Sequence, residues 1–350
     1  MGNSEQGKYS FITRDETNIL KGVALVFMFI HHFFTLSNFW IDSVFAMYPS
    51  EDVNAWGLWA PLFKICVPIF VFLTGYFYFF SKKTYRYSIR KISDLYINYI
   101  IVFLLLLSIA ILLNVYQFSF PMFLAEAAAI VRPNMTHGWY VLFYAMAMLL
   151  MPIYAKIAEK NDLLAFSLFT VVPWFVNSGL SMTGIPLSSA MSDVLDYLLW
   201  LPCMASGFCF AKYDMFGKIA ATVITKSKFL NAVISILFMM IPFIAQYLNS
   251  YLSFINVPMF LFGLLSIIKT VKVKWIFAPI SVIVKYSVLM WFTHCIFANP
   301  CAIYTQPILY YPQNPILVTV WGLLMCLAAA FVLKFPIDLL IKWKNKIFRL

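Results

Sequence analysis

Charge is what this sequence has least of. Only 11% of its 350 residues are Asp, Glu, Lys or Arg, and just 14 are acidic. Soluble domains carry about 25% charged residues, so a water-soluble domain of this length is excluded. Carboxylates are almost missing from the apolar runs, which argues against proton-coupled exchange along intramembrane acids. The six cysteines (Cys66, Cys203, Cys209, Cys295, Cys301 and Cys326) have neither metal-ligand spacing nor a secreted disulfide framework, and read as small buried apolar residues. No Gly/Ser- or Pro-rich linker divides the chain, and no internal repeat is visible. Residues 1–18 are polar and carry Glu5, Lys8, Arg14, Asp15 and Glu16. The apolar run after them is of full span length without a small-residue cleavage site, so it reads as a retained helix rather than a signal peptide.

What is present is hydrophobicity: 63% of residues are apolar. Continuous runs, not short alternating strands, point to an all-α polytopic membrane protein. Spans are expected near 19–40, 58–80, 95–115, 138–155, 163–178, 194–211, 229–248, 251–268, 286–299 and 316–335. Charge placement supports ten. The 81–91 segment, with Lys82, Lys83, Arg86, Arg90 and Lys91, belongs on the cytoplasmic side. Alternation from there puts both termini inside and leaves only Lys64 and Arg132, of 25 basic residues, outside. The net charge of +11 is then a basic inner face, with no nucleic-acid partner required. The expected organisation is a cytoplasmic N-terminal segment (1–18), one membrane domain (19–335) and a basic cytoplasmic tail (336–350). Segments 212–228 and 272–285 are amphipathic and expected along the inner surface among membrane lipid.

The first span carries two histidines and a lysine. Lys21 and His32 are separated by ten residues; on a helix both face one way, about 16 Å apart. A basic group at the membrane edge thus shares a stripe with a titratable base expected near the midplane. Ionisable groups are costly in hydrocarbon, which makes this pair a functional-site hypothesis. Apolar surroundings favour the neutral imidazole, the form a general base needs. His31 is turned about 100° away and reads as a packing residue.

Four further patterns follow in order: Val67-Pro-Ile-Phe-Val-Phe-Leu-Thr74-Gly75-Tyr76; the basic stretch ending Arg90-Lys91-Ile92; His137-Gly-Trp139-Tyr140; and Tyr286-Ser-Val-Leu-Met-Trp-Phe-Thr-His294. Together with Lys21-x10-His32 they resemble the acyltransferase-3 family of integral-membrane O-acyltransferases, over roughly residues 14–298. Thr74 stands for the usual Ser. Lys21 stands where Arg is commoner, trading a bidentate fork for a point charge. Asn18 replaces an acid often found before it, and no proline follows Ile92.

The resemblance implies an acetyltransferase that moves acetyl from cytoplasmic acetyl-CoA to a hydroxyl of a surface polysaccharide or its lipid-linked precursor, in the cell membrane. It implies His32 as catalytic base or transient acyl carrier. Lys21, Arg14, Arg90 and Lys91 would bind the donor, and Thr74, Tyr76, His137, Trp139 and His294 would serve the acceptor side. Acetyl-CoA is a co-substrate, and no metal is expected. Two other classes share the hydropathy pattern: a transporter or flippase of lipid-linked sugars, and a polysaccharide polymerase. The first would more often show paired halves. The second would carry a large external loop, whereas the longest external segments here are about twenty residues.

Overall fold

The computed structural model describes residues 11–35, 50–183, 189–248, 252–270, 279–280 and 283–347. Every regular element among them is helical. In chain order the α-helices are α1 (Arg14–Phe34), α2 (Ser50–Trp59), α3 (Cys66–Phe79), α4 (Tyr85–Leu112), α5 (Phe120–Ala127), α6 (Trp139–Ala158), α7 (Asp162–Thr183) and α8 (Ser189–Leu198). There follow α9 (Leu201–Lys212), α10 (Met215–Val223), α11 (Lys228–Leu248), α12 (Ser253–Thr270), α13 (Ser287–Thr293), α14 (Ala302–Tyr310) and α15 (Pro315–Ile347). The protein is an all-α polytopic membrane protein.

Among the described residues, eight helical stretches are long and apolar enough to cross a bilayer. They match eight of the ten expected spans. The expected span at 251–268 is a shorter apolar helix, Ser253–Lys269. The one at 286–299 is broken: α13 has seven residues, with 3₁₀ turns at Val284–Tyr286 and His294–Phe297. Breaking a helix frees carbonyls, which must find donors where water is absent. Side chains supply them. Thr305 Oγ1 donates to Ile296 O at 2.8 Å, Gln306 Nε2 to Phe297 O at 2.7 Å, and Thr136 Oγ1 to Ala298 O at 2.8 Å. An apolar run is therefore not one continuous span, because neighbouring polar side chains replace its ladder.

Two other boundaries move. α1 begins five residues before the expected 19, because Thr13 and Glu16 form a capping box. The Thr13 amide donates to Glu16 Oε2 at 2.8 Å, and the Glu16 amide to Thr13 Oγ1 at 3.3 Å. Lys269 Nζ lies 3.5 Å from the same carboxylate. α1 ends at Phe34 rather than 40, and residues 36–49 lie outside the described residues. The second change concerns 81–91: Arg86, Arg90 and Lys91 lie in the opening turns of α4, which starts at Tyr85 rather than 95. Of the two amphipathic segments, 212–228 holds the short helix α10, and most of 272–285 lies outside the described residues.

The described chain forms two compact units. One lies within Met1–Met28, Leu62–Tyr87 and Leu150–Val284, the other within Phe29–Pro61, Ser88–Leu149 and Lys285–Leu350. In the first, α3 and α9 approach until backbones touch. A Cβ on Gly75 would collide with Met204 O, and one on Gly207 with Phe72 O. Paired small residues allow such contact between apolar helices, where dispersion rather than water drives association. α9 is buried along most of its length. In the second unit, Gly322 of α15 receives the Phe33 ring, and Tyr310 Oη donates to Phe33 O at 2.6 Å. Lys344 Nζ holds Asp94 Oδ1 at 2.5 Å and Ser93 Oγ at 2.9 Å, tying the end of α15 to the start of α4. Gly75→Val should cost about 1–3 kcal/mol through overpacking, read as a lower melting temperature of the purified protein in detergent. An unchanged melt would show that the α3–α9 contact can relax.

Candidate active site

Three histidines that lie far apart in the chain meet in the second unit. His32 sits in the last turn of α1, His137 two residues before α6, and His294 directly after α13. His32 Nδ1 and His294 Nε2 are 2.7 Å apart. Their rings are nearly coplanar, 17° apart with centroids at 4.9 Å, so they meet edge to edge. The His137 ring lies flat against both, 4.0 Å from His32 at 16° and 4.8 Å from His294 at 7°. His137 and His294 are buried, while His32 remains half-buried.

The partners fix the tautomers. His294 Nδ1 contacts the carbonyl of Trp291. A carbonyl only accepts, so that nitrogen carries the proton, and Nε2 of a neutral His294 is a lone pair. His32 Nδ1 must therefore be the donor in the 2.7 Å contact. The result is a directed chain, His32 Nδ1–H to His294 Nε2, and His294 Nδ1–H to Trp291 O. It leaves His32 Nε2 unprotonated. This is the logic by which an oriented partner holds a catalytic imidazole in its useful tautomer. The last turn of a helix also presents negative carbonyl dipoles, which favour the cation that forms when His32 takes a proton.

One nitrogen from each histidine lies within 4.8 Å of the other two, a donor set that could hold a metal ion. Two imidazoles on one zinc at 2.0–2.1 Å stand roughly 3.3 Å apart with their lone pairs converging on it. Here two nitrogens are 2.7 Å apart and the third ring is stacked flat. That geometry fits a hydrogen-bonded pair under a stacking ring better than a shared ion.

The other expected residues take varied places. Lys21 shares α1 with His32, as its spacing requires, with its ammonium 5.6 Å from the Phe77 ring centroid. His32, however, stands in the last turn of α1 instead of the middle of a longer span. Arg14, Arg90 and Lys91 are exposed, Arg14 opening α1 and the other two in the second turn of α4. Trp139 opens α6, its ring 5.9 Å from that of Tyr140, which packs edge-on at 5.3 Å against Trp291. Thr74 bonds back to Phe70 O at 2.8 Å. Tyr76 is buried among Phe72, Phe77, Phe80 and Phe216. Thr74 and Tyr76 thus have packing partners in the first unit, and their assignment to the acceptor rests on the resemblance alone. His31 turns away, as its register predicts, with Nδ1 3.0 Å from Thr35 Oγ1.

A model of the acyltransferase-3 family, described as an acyltransferase domain, matches residues 14–335. The chain belongs to the acyltransferase-3 family. No curated protein and no solved structure matches it. Membership makes the protein a membrane acyltransferase, and the matched region contains all three histidines and Lys21.

Glu126, the residue the motifs miss, lies eleven positions before His137. It is fully buried at the end of α5. Its Oε1 accepts from the amides of Asn134 and Met135 at 2.6 and 2.9 Å, and its Oε2 from Asn134 Nδ2 at 2.9 Å. Burial pushes its carboxyl up from the ordinary carboxylate range, against these hydrogen bonds. The only clue in the sequence is a carboxylate inside an otherwise apolar octapeptide, Phe120–Ala127.

His294→Ala should lower turnover of acyl transfer less than removal of His32 does, because the tautomer is freed while the base stays. A loss as large as that of His32→Ala, measured at equal protein level, would make His294 a direct proton carrier instead.

Proposed function

We propose that the protein is an O-acetyltransferase of the cell membrane that takes acetyl from acetyl-CoA and delivers it to a hydroxyl of a surface polysaccharide or its lipid-linked precursor. The observation that carries the chemistry is the oriented His32–His294 pair with an unprotonated Nε2 on the half-buried His32 ring. The acceptor hydroxyl loses its proton to His32 Nε2 as its oxygen attacks the thioester carbonyl. The carbon–sulfur bond breaks, and the leaving coenzyme A thiolate takes the proton back. His294 and the Trp291 carbonyl stabilise the imidazolium between these two transfers. His137 keeps the His32 ring in plane by stacking on it.

The donor is a polyanion, and the basic residues of α1 and α4 offer it partners of opposite charge. Arg86, Arg90 and Lys91 crowd the opening turns of α4. Basic groups at a helix N-terminus oppose its dipole and weaken the helix by about 0.3–1 kcal/mol each. Such charges are better explained by a phosphate partner, or by the positive-inside bias, than by helix stability. Lys21 and Arg14 add charge on α1, and the positive-inside pattern favours a cytoplasmic position for the start of α1 and for the 81–91 stretch. His32, about 16 Å further along α1 than Lys21, then faces an acceptor arriving from the opposite side. Trp139 would line that side.

His32→Ala should lower acceptor acetylation in membranes by about 10²–10⁴-fold at unchanged protein level. Retained activity would remove His32 from the chemistry. Lys21→Ala should raise the acetyl-CoA concentration needed for half-maximal rate, with a smaller effect on the rate at saturation. An unchanged donor dependence would detach Lys21 from the donor.

A further inference from the structure

Resting on the reading of the histidine cluster as the catalytic centre, we propose that Glu126 is a positioning residue: its buried carboxylate clamps residues 134–135 and thereby holds His137 flat against the His32–His294 pair. His137 stands on no helix of its own. It ends an irregular stretch between α5 and α6, and an unconstrained stretch of that length would not hold a ring within 4.0 Å of another. Three donors converge on the one carboxylate, two from backbone amides and one from the Asn134 side chain. All three are donors and the anion is acceptor-only, so the set is matched without a spare proton.

The remainder of the stretch is fixed around that clamp. α5 ends in a reversal in which Ala129, at φ 59°, takes a left-handed conformation that favours glycine. The Ile130 amide donates to Ala125 O at 2.9 Å and that of Ala129 to Glu126 O at 2.8 Å, closing the turn. Tyr99 Oη donates to Glu126 O at 2.5 Å, which seats the clamp on α4. A side chain on Gly138 would meet the Tyr99 ring and Met135 O, so the backbone directly after His137 is packed closely against α4 and the turn before it. Thr136 Oγ1 bonds Ala298 O, which ties the same stretch to the segment bearing His294. The strained Ala129 and the buried acid are local costs of the kind that persist at functional sites when the surroundings over-determine them. Asn134 and Met135 precede His137 by three and two residues, so any slip at the clamp passes directly to the ring.

The test exchanges partners. Glu126→Gln keeps the shape but turns one oxygen into a donor, which Asn134 can meet only by turning its amide over, so that its partnerless Oδ1 accepts and its Nδ2 group is left buried without an acceptor. In that background Asn134→Asp supplies a new acceptor and restores the complement. E126Q should lower the saturated transfer rate by on the order of 10² with the donor KM unchanged, and E126Q/N134D should recover most of that rate. In an H137A background E126Q should cost nothing further. In protein labelled with ¹⁵N-histidine, the His137 ring signals should move in E126Q and return in the double variant. Should E126Q not fold, N134A, which removes one of the three bonds, carries the same two readouts. Overturning results are a wild-type rate with unmoved His137 signals, a loss that Asn134→Asp leaves unrepaired, or losses from E126Q and H137A that multiply. Wild-type protein that transfers no acetyl would sink the proposed reaction, while the ring signals would still judge the clamp.

Discussion

The hydrogen bond from His32 to His294 joins segments 262 residues apart, and the geometry of the site depends on it. It gives a neutral imidazole a direction, because the Trp291 carbonyl at the far end of the chain can only accept. It also requires that α1 end beside the broken helix α13. The fold meets that requirement at both ends of α1. The Thr13–Glu16 capping box sets where the helix starts, and Tyr310 holds the Phe33 carbonyl where it stops. A helix of fixed start fixes the register of every residue on it, Lys21 and His32 included.

Much of this was legible in the sequence. Hydropathy alone predicts an all-helical membrane protein, and helical register separates His32 from His31. His137 and His294 stand out through the order of the motifs that contain them. Their meeting was not legible, because contact between residues far apart depends on tertiary packing, which periodicity does not encode. Glu126 was hidden for a related reason. It belongs to none of the motifs and has no periodic partner in the sequence, and only the folded turn reveals three donors converging on it.

Boundary errors follow one physical pattern. The 286–299 run is apolar enough for a span, yet hydropathy is blind to Thr136, Thr305 and Gln306 replacing backbone partners from outside the run. Likewise α4 begins within a basic stretch that composition marks as a loop, because charge predicts sidedness and says little about helicity. The deviations lie beside the histidines or the basic residues that open α1 and α4, where side chains serve roles other than spanning.

The broken helix has a consequence for how the protein is made. A seven-residue helix with 3₁₀ ends is too short to partition into a bilayer by itself, and its open carbonyls are satisfied by one residue synthesised earlier and two synthesised later. The segment carrying His294 therefore cannot be inserted as an independent unit as it leaves the ribosome. It must wait until α14 has been made and then fold back against the stretch before α6. Completion of the histidine cluster is thus a late event in biogenesis: a nascent chain truncated before Thr305 already holds all three histidines but lacks the two side chains that close the break after His294.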